Sequence, residues 1–532
     1  MTLPFTLADW IVVGGYVVVL ITGGWLFMPR HTESARDYFL AGGTVPAWLT
    51  AVSVLSATQS AATFLGGPDY GYNGDYTYLS TSLGALLGAI VVAKLLIPRF
   101  YRAEATTAYE LLTKRYSMRA TRWAGGMFLA GRVLAGGARV YLAAIAIAMV
   151  MTGGVTAGSI MIAAAALLLA SFLFTFVGGL RSVLWNDLVQ FIIFLGAAIG
   201  VLVFLRLSIP ASSTQIIHAV AHTPEGVNKL RLIDLSFDLS KPFSLLAVVT
   251  GVALLYIGNY GLDQDTTQRL LACRDARTGA RGLYLSVAAT VPVVAIFITI
   301  GVLLYVFYDR PDLMGKATAV AAKQFGDEKI SIFMHYILTE VPPGLRGLVT
   351  VGVTAAAVAT TNSALNAMSA VAIQDFYRPW RERRGSVRER HYVDAGRVGM
   401  GLVGLAMFGT SVLSYYWQHH TTMGLLEFAL QVMVFSYAGL LGVYFTAIFT
   451  KRGTTTSVIA ALLGGFFVVL LLQPGIAHWI GLPSVLTALA FPFQLCIATI
   501  AAFLICATPS GAGSAMLADP AFIRGLHDDR IQ

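Results

Sequence analysis

Charge is what this sequence has little of. Asp, Glu, Lys and Arg make up 12% of its 532 residues, against 57% hydrophobic residues. A soluble domain carries about twice that charged share, so a water-soluble globular fold is excluded. Cysteine is also scarce. Cys273, Cys496 and Cys506 are the three, and they make neither a disulfide framework nor a thiolate metal cluster. None of the nine histidines lies in the middle of an apolar stretch, which leaves no buried histidine relay of the kind that serves proton-driven carriers. A His-Glu-x-x-His motif is missing, and so is a Ser with a His at membrane depth; no enzyme is expected. There is no low-complexity tract and no short-period repeat. Neither a symmetric pore motif nor an attached signalling domain is present, so a channel or a membrane sensor fits less well. The first apolar run lacks the basic start and small-residue cleavage site of a secretory signal, and it is too long for one.

What is there is hydrocarbon. Thirteen apolar stretches approach bilayer length: 8–28, 46–66, 78–97, 123–151, 157–178, 184–205, 243–261, 283–308, 347–375, 397–417, 424–449, 455–473 and 485–507. They predict an all-α membrane protein of about thirteen transmembrane helices. Basic residues set the orientation. With the N-terminus outside, 24 of the 36 Lys and Arg fall in cytoplasmic loops and the C-terminal tail, nine in outer loops, and Lys94, Arg132 and Arg139 inside helices. The net charge of +9 is thus accounted for by topology, with no nucleic-acid partner. A monomer in the inner (plasma) membrane, with a cytoplasmic C-terminus, is expected.

Four spans carry polar groups where hydrocarbon is expected, in three places. In the second, residues 56–63 read Ser-Ala-Thr-Gln-Ser-Ala-Ala-Thr, five polar side chains in eight. The seventh contains Tyr256-Ile257-Gly258-Asn259-Tyr260-Gly261. Polar, glycine-broken spans in corresponding halves of a membrane protein point to unwound helices around a binding site; the alternative is Ser and Thr bonding back to their own helix or knitting helices together. Third, Asp187 opens the sixth span, and Thr360, Thr361, Asn362 and Ser363 lie at the centre of the ninth. Asp187 either caps its helix or joins those oxygens around a small hard cation. Free carbonyls of Ser56 and Gln59, with the Ala356 carbonyl and the Thr360 hydroxyl, make an oxygen set suited to sodium.

Five segments then form a pattern in order: 37–43 (Asp-Tyr-Phe-Leu-Ala-Gly-Gly), 107–112 (Thr-Ala-Tyr-Glu-Leu-Leu), 178–190 (Gly-Gly-Leu-Arg-Ser-Val-Leu-Trp-Asn-Asp-Leu-Val-Gln), 263–269 (Asp-Gln-Asp-Thr-Thr-Gln-Arg), and Ser363-Ala364-Leu365-Asn366 with Asp375-Phe376-Tyr377. With them the chain resembles the sodium:solute symporter family, the group of the proline, glucose and sialic-acid symporters. The resemblance implies sodium-driven uptake by alternating access and a leucine-transporter-like inverted five-helix repeat. The implied division is a first helix and loop (1–45), a first repeat (46–206), an outer loop (207–242), a second repeat (243–450), two final spans (451–507) and a tail (508–532). It implies one sodium site from Ser56, Gln59, Ala356 and Thr360. The family's second hydroxyl there falls on Ala359, so one ligand is lost. It also implies, as some members have, a second sodium site, from Asp187, Asn362 and Ser363, with Asn362 in place of the usual hydroxyl. One or two sodium ions are therefore the coupling ions.

The fourth span holds Arg132 and Arg139. Seven steps of about 100° bring them to within about 20° of one helix face, about 10 Å apart. Either is shaped to take a carboxylate in two parallel bonds; either could instead hold backbone carbonyls or snorkel. Thr58, Ser60 and Thr63 match the polar trio that contacts substrate in the sialic-acid symporters, which also use an arginine of the following core helix. Asn259 and Tyr260 complete the expected substrate set, with Tyr260 as a gate or as simple packing. The expected solute is a small organic anion, a sialic or other sugar acid or a monocarboxylate; a neutral sugar, polyol or amino acid is the alternative.

Overall fold

The computed structural model describes residues 5–26, 35–152, 156–224, 226–315, 324–325, 328–329, 332–385, 387–419 and 425–508. Helices dominate; among the described residues the strands are one antiparallel pair, Gln324–Phe325 with Glu328–Lys329. In chain order the main helices are α1 (Leu7–Leu26), α2a (Ala47–Thr58), α2b (Ala61–Asn73), α3 (Tyr76–Arg102), α4 (Met118–Thr152), α5 (Ala157–Leu173), α6 (Leu180–Ser208), α7a (Leu245–Gly261), α7b (Gln264–Leu271), α8 (Ala276–Asp309), α9 (Leu345–Glu382), α10 (Glu389–His419), α11 (Leu425–Phe449), α12 (Thr455–Leu471) and α13 (Phe491–Ala507). Among the described residues seven are long and apolar enough to cross a membrane, and α7a with α7b makes an eighth. The other expected spans coincide with shorter apolar helices, so length and composition alone establish fewer crossings than thirteen.

The second span breaks where its polar run lies. Gln59 ends α2a in extended backbone, and Ser60, also extended, starts α2b with its hydroxyl accepting from the Ala62 amide. A Ser at this position is a helix N-cap. The seventh span behaves differently from the sequence expectation. Tyr256 to Gly261 stay helical, and the chain bends by 54° just after them, between Gly261 and Gln264. The cause is Asp263, which leaves the helical region and caps α7b by accepting from the Asp265 amide. A side-chain cap, rather than the glycines, sets the break.

Helical structure runs on from α5 into α6, Ala157–Ser208, where the sequence suggests a loop. Ser171 of α5 meets Asn362, while Asp187 of α6 shares the Arg269 guanidinium with Ser363. Both halves thus reach neighbouring residues of α9. α9 packs along this pair and against both halves of α2, and α8 packs against both halves of α2.

Close packing positions α4. A Cβ on Gly131 would fall inside the Ser436 side chain of α11, and one on Gly137 would overlap Thr410 of α10. At the N-terminal face, the Asp9 carboxylate accepts from the Gly344 and Gly347 amides at 2.9 and 2.8 Å and pairs with buried Arg346 at 2.7 Å. The long loop after α6 is pinned to the end of α2b. Lys229 donates to the Tyr72 and Gly74 carbonyls at 2.7 and 3.0 Å, Arg231 pairs with Asp75 at 2.7 Å, and Lys241 with Asp234 at 3.0 Å.

Candidate substrate and ion sites

A cavity of about 60 Å³ lies at the α2 break. Thr58, Gln59, Ser60 and Thr63 form one wall, Asn259 and Tyr260 of α7a another, and Arg139 of α4 enters from a third side. The rest is largely apolar, from Leu255, Leu426, Ala429, Leu430 and Met433. Arg139 is half-buried. Its guanidinium reaches the Met433 sulfur at 3.2 Å, and among the described residues no carboxylate pairs with it. The Asn259 amide nitrogen donates to the Tyr437 oxygen at 3.3 Å, and its carbonyl oxygen has no donor.

Arg132 stands elsewhere. It is buried and paired with Asp263 at 3.0 Å and, in closer contact, with Asp265. Arg269 of α7b, also buried, pairs with Asp187 at 2.9 Å and with Asp265. It donates further to the Ser53 hydroxyl and the Asp265 carbonyl, at 2.7 and 2.8 Å, and to the Ser363 hydroxyl. The Tyr437 hydroxyl donates to Asp263 at 2.7 Å. Two guanidiniums and three carboxylates therefore form one dry network joining α4, α6 and both ends of the seventh-span bend. Buried charges persist when paired and hydrogen-bonded in this way.

The first expected sodium set lies at the α2 break and on α9. The last helical hydrogen bond of α2a runs from the Gln59 amide to the Leu55 carbonyl, 2.8 Å. The Ser56 carbonyl lies beyond it, among the carbonyls that a helix end leaves without intrahelical partners. On α9 the Thr360 hydroxyl donates to the Ala356 carbonyl at 3.0 Å, which leaves its lone pairs for a cation; Ala359 beside it is fully buried and offers no side-chain oxygen. The second expected set is not assembled as an oxygen cage. Asp187 and Ser363 come together, but through the guanidinium of Arg269. Asn362 turns away: with its amide nitrogen facing α5 it donates to the Ser171 hydroxyl and carbonyl at 3.3 and 3.2 Å and to the Val358 carbonyl at 3.2 Å. Among the described residues no group of three or more His, Cys, Asp and Glu is arranged to hold a metal ion.

A family model for the sodium:solute symporters matches residues 38–465. The chain belongs to this family. It is a sodium-coupled symporter and a multi-pass membrane protein. It is similar to the human sodium/iodide cotransporter, 26% identical over 448 residues, which span 83% of this chain and 66% of the relative, just under two thirds of its length. It is similar to the mouse sodium-coupled monocarboxylate transporter 1, 25% identical over 497 residues, 90% of this chain and 74% of the relative. Its fold matches the substrate-bound, outward-open structure of a Na+-coupled sialic acid symporter with a TM-score of 0.77, at 22% identity, over 94% of this chain and 97% of that one.

Within this symporter, several site residues carried no local signal. Arg269 ends the 263–269 motif, yet only the fold brings it to Asp187 and Ser53, 82 and 216 positions away. Tyr437 and Met433 sit in an unremarkable apolar helix. The 107–112 motif proves to brace the seventh-span bend: the Tyr109 hydroxyl donates to the Leu262 carbonyl at 2.7 Å, and the Gln264 carbonyl oxygen accepts from the Ala108 amide at 2.8 Å.

Proposed function

We propose that this symporter takes up a small organic anion with sodium, and that Arg139 receives the anion's carboxylate. One observation carries the reading: Arg139 enters a cavity with no carboxylate among the described residues paired to it, whereas Arg132 is spent on Asp263 and Asp265. A half-buried guanidinium without an anion favours a ligand that supplies one. The cavity is small, and its apolar wall suits a short hydrocarbon chain, so a short monocarboxylate fits better than a nine-carbon sugar acid. The similar proteins above are named for iodide, a monocarboxylate and sialic acid, all of them anions. Thr58, Ser60, Thr63 and Asn259 contribute hydrogen bonds, and Tyr260 closes one side. Sodium is held by the Ser56, Gln59 and Ala356 carbonyls with the Thr360 hydroxyl. The two repeats, 46–206 and 243–450, move against each other, and the solute crosses without chemical change. The protein acts as a monomer in the plasma membrane, with the N-terminus outside and the basic loops cytoplasmic.

Counterflow of labelled short-chain monocarboxylates in proteoliposomes tests this. The wild type should exchange the acid, and the matching amide should not compete. Arg139→Ala should abolish exchange, as truncating one partner of a desolvated charge pair costs about 2–5 kcal/mol, and it should keep sodium-induced thermal stabilisation. Lysine should rescue poorly, because it cannot form the two-pronged bond. An amide that competes as well as the acid, or normal exchange by Arg139→Ala, sinks the anion reading and leaves a neutral solute.

A further inference from the structure

The sodium reading above offers two ion positions, and the chain's own charge already fills one of them. We propose that the Arg269 guanidinium is a tethered cation seated between Asp187 and Ser363, and that uptake is therefore coupled to a single sodium ion, the one at the α2 break. This inference rests on the sodium-symport reading.

The donor set supports it. Arg269 is buried, and its three nitrogens spend their hydrogen bonds on Ser53, Ser363, the Asp265 carbonyl and the carboxylates of Asp187 and Asp265. These are the oxygens that a second sodium would need. The remaining candidate is not available to it: Asn362 is turned to Ser171 and Val358. One oxygen, Oδ1 of Asp187, stays without a donor, and a single oxygen does not replace the hydration shell of a hard cation.

Displacement of the arginine is also disfavoured. Asp265 is one helical turn from Arg269 and shares its charge between Arg269 and Arg132. Withdrawing Arg269 would set three buried carboxylates against one guanidinium. Adding sodium beside it would place two cations within a few ångströms in a dry site, where their repulsion is weakly screened. Asp263 is answered by Arg132, the Tyr437 hydroxyl and the amide end of α7b. It does not create a second cation site at Asp187.

Counting bound sodium decides the matter. Purified full-length protein should bind one labelled sodium ion per chain at saturation, with a Hill coefficient of 1, and Thr360→Val should weaken that binding at least severalfold. Arg269→Gln, where it folds, should gain a second ion and a Hill coefficient approaching 2. Two ions bound by the wild type would overturn the proposal, as would a folded Arg269→Gln that still binds one. No sodium bound by the wild type would instead overturn the symport reading itself. The wild-type count needs no variant, so a misfolded Arg269→Gln leaves the answer intact.

Discussion

The two arginines of α4 are the same residue type on one helix face, and they stand in different surroundings. Arg132 is tied into a dry network by Asp263 and Asp265; Arg139 borders the cavity. Arg132→Ala should therefore act on stability. Breaking a buried pair from one side costs about 3–5 kcal/mol, so a marked fall in melting temperature with low yield is expected, measurable by scanning fluorimetry in detergent. A normally stable Arg132→Ala would contradict the network. Ala359→Ser supplies an oxygen where the chain has none. One added hydrogen-bond acceptor near a charge is worth about 1 kcal/mol, so sodium affinity should rise by roughly fivefold at most, read from the sodium dependence of thermal stabilisation. Beside the expected Thr58, Ser60, Thr63, Asn259 and Tyr260, the carboxylate contact was left open from sequence between these two arginines. Their spacing places both on one face, and the carboxylates that claim Arg132 lie 131 and 133 positions away.

Elements were more legible than their ends. The polar run 56–63 and the break at Gln59 and Ser60 coincide because the same Ser that adds polarity also caps α2b. The seventh-span break was expected at the glycines and lies just after them, because capping by Asp263 is a local geometric choice that hydropathy does not register. A loop was expected between the fifth and sixth spans, 157–178 and 184–205, but no proline ends the helix there, and helical structure continues through it. The glycines of α4 act at this scale. Gly131→Val would drive a branched side chain into Ser436 and force α4 and α11 apart. Overpacking of this kind costs about 1–3 kcal/mol. The expected outcome is a lower melting temperature together with weakened solute binding, since α4 carries Arg139; unchanged values for both would show that the helices can separate freely.

For the whole molecule, charges are placed in two different settings. On the N-terminal face the loop after α6 is pinned by charges near water. Burial works against ionisation of Asp234, but bonds from Ser236 and Lys241 outweigh it and hold its carboxyl at about 2, below the ordinary 3.8. A depressed carboxylate pKa stabilises the folded arrangement above its unfolded value and loses that stabilisation as pH falls through the folded one. The loop should therefore keep its protease resistance from neutral pH down to about pH 4 and lose it toward pH 2; loosening between pH 7 and 5 would rule out Asp234 as its anchor. Under the seventh-span bend lies the five-charge network. A purely apolar contact can be wetted a little at a time. A network of paired ions in a dry site resists partial wetting, because each pair opened alone strands a charge. Wetting of these five groups is therefore cooperative, the pairs opening together rather than one by one.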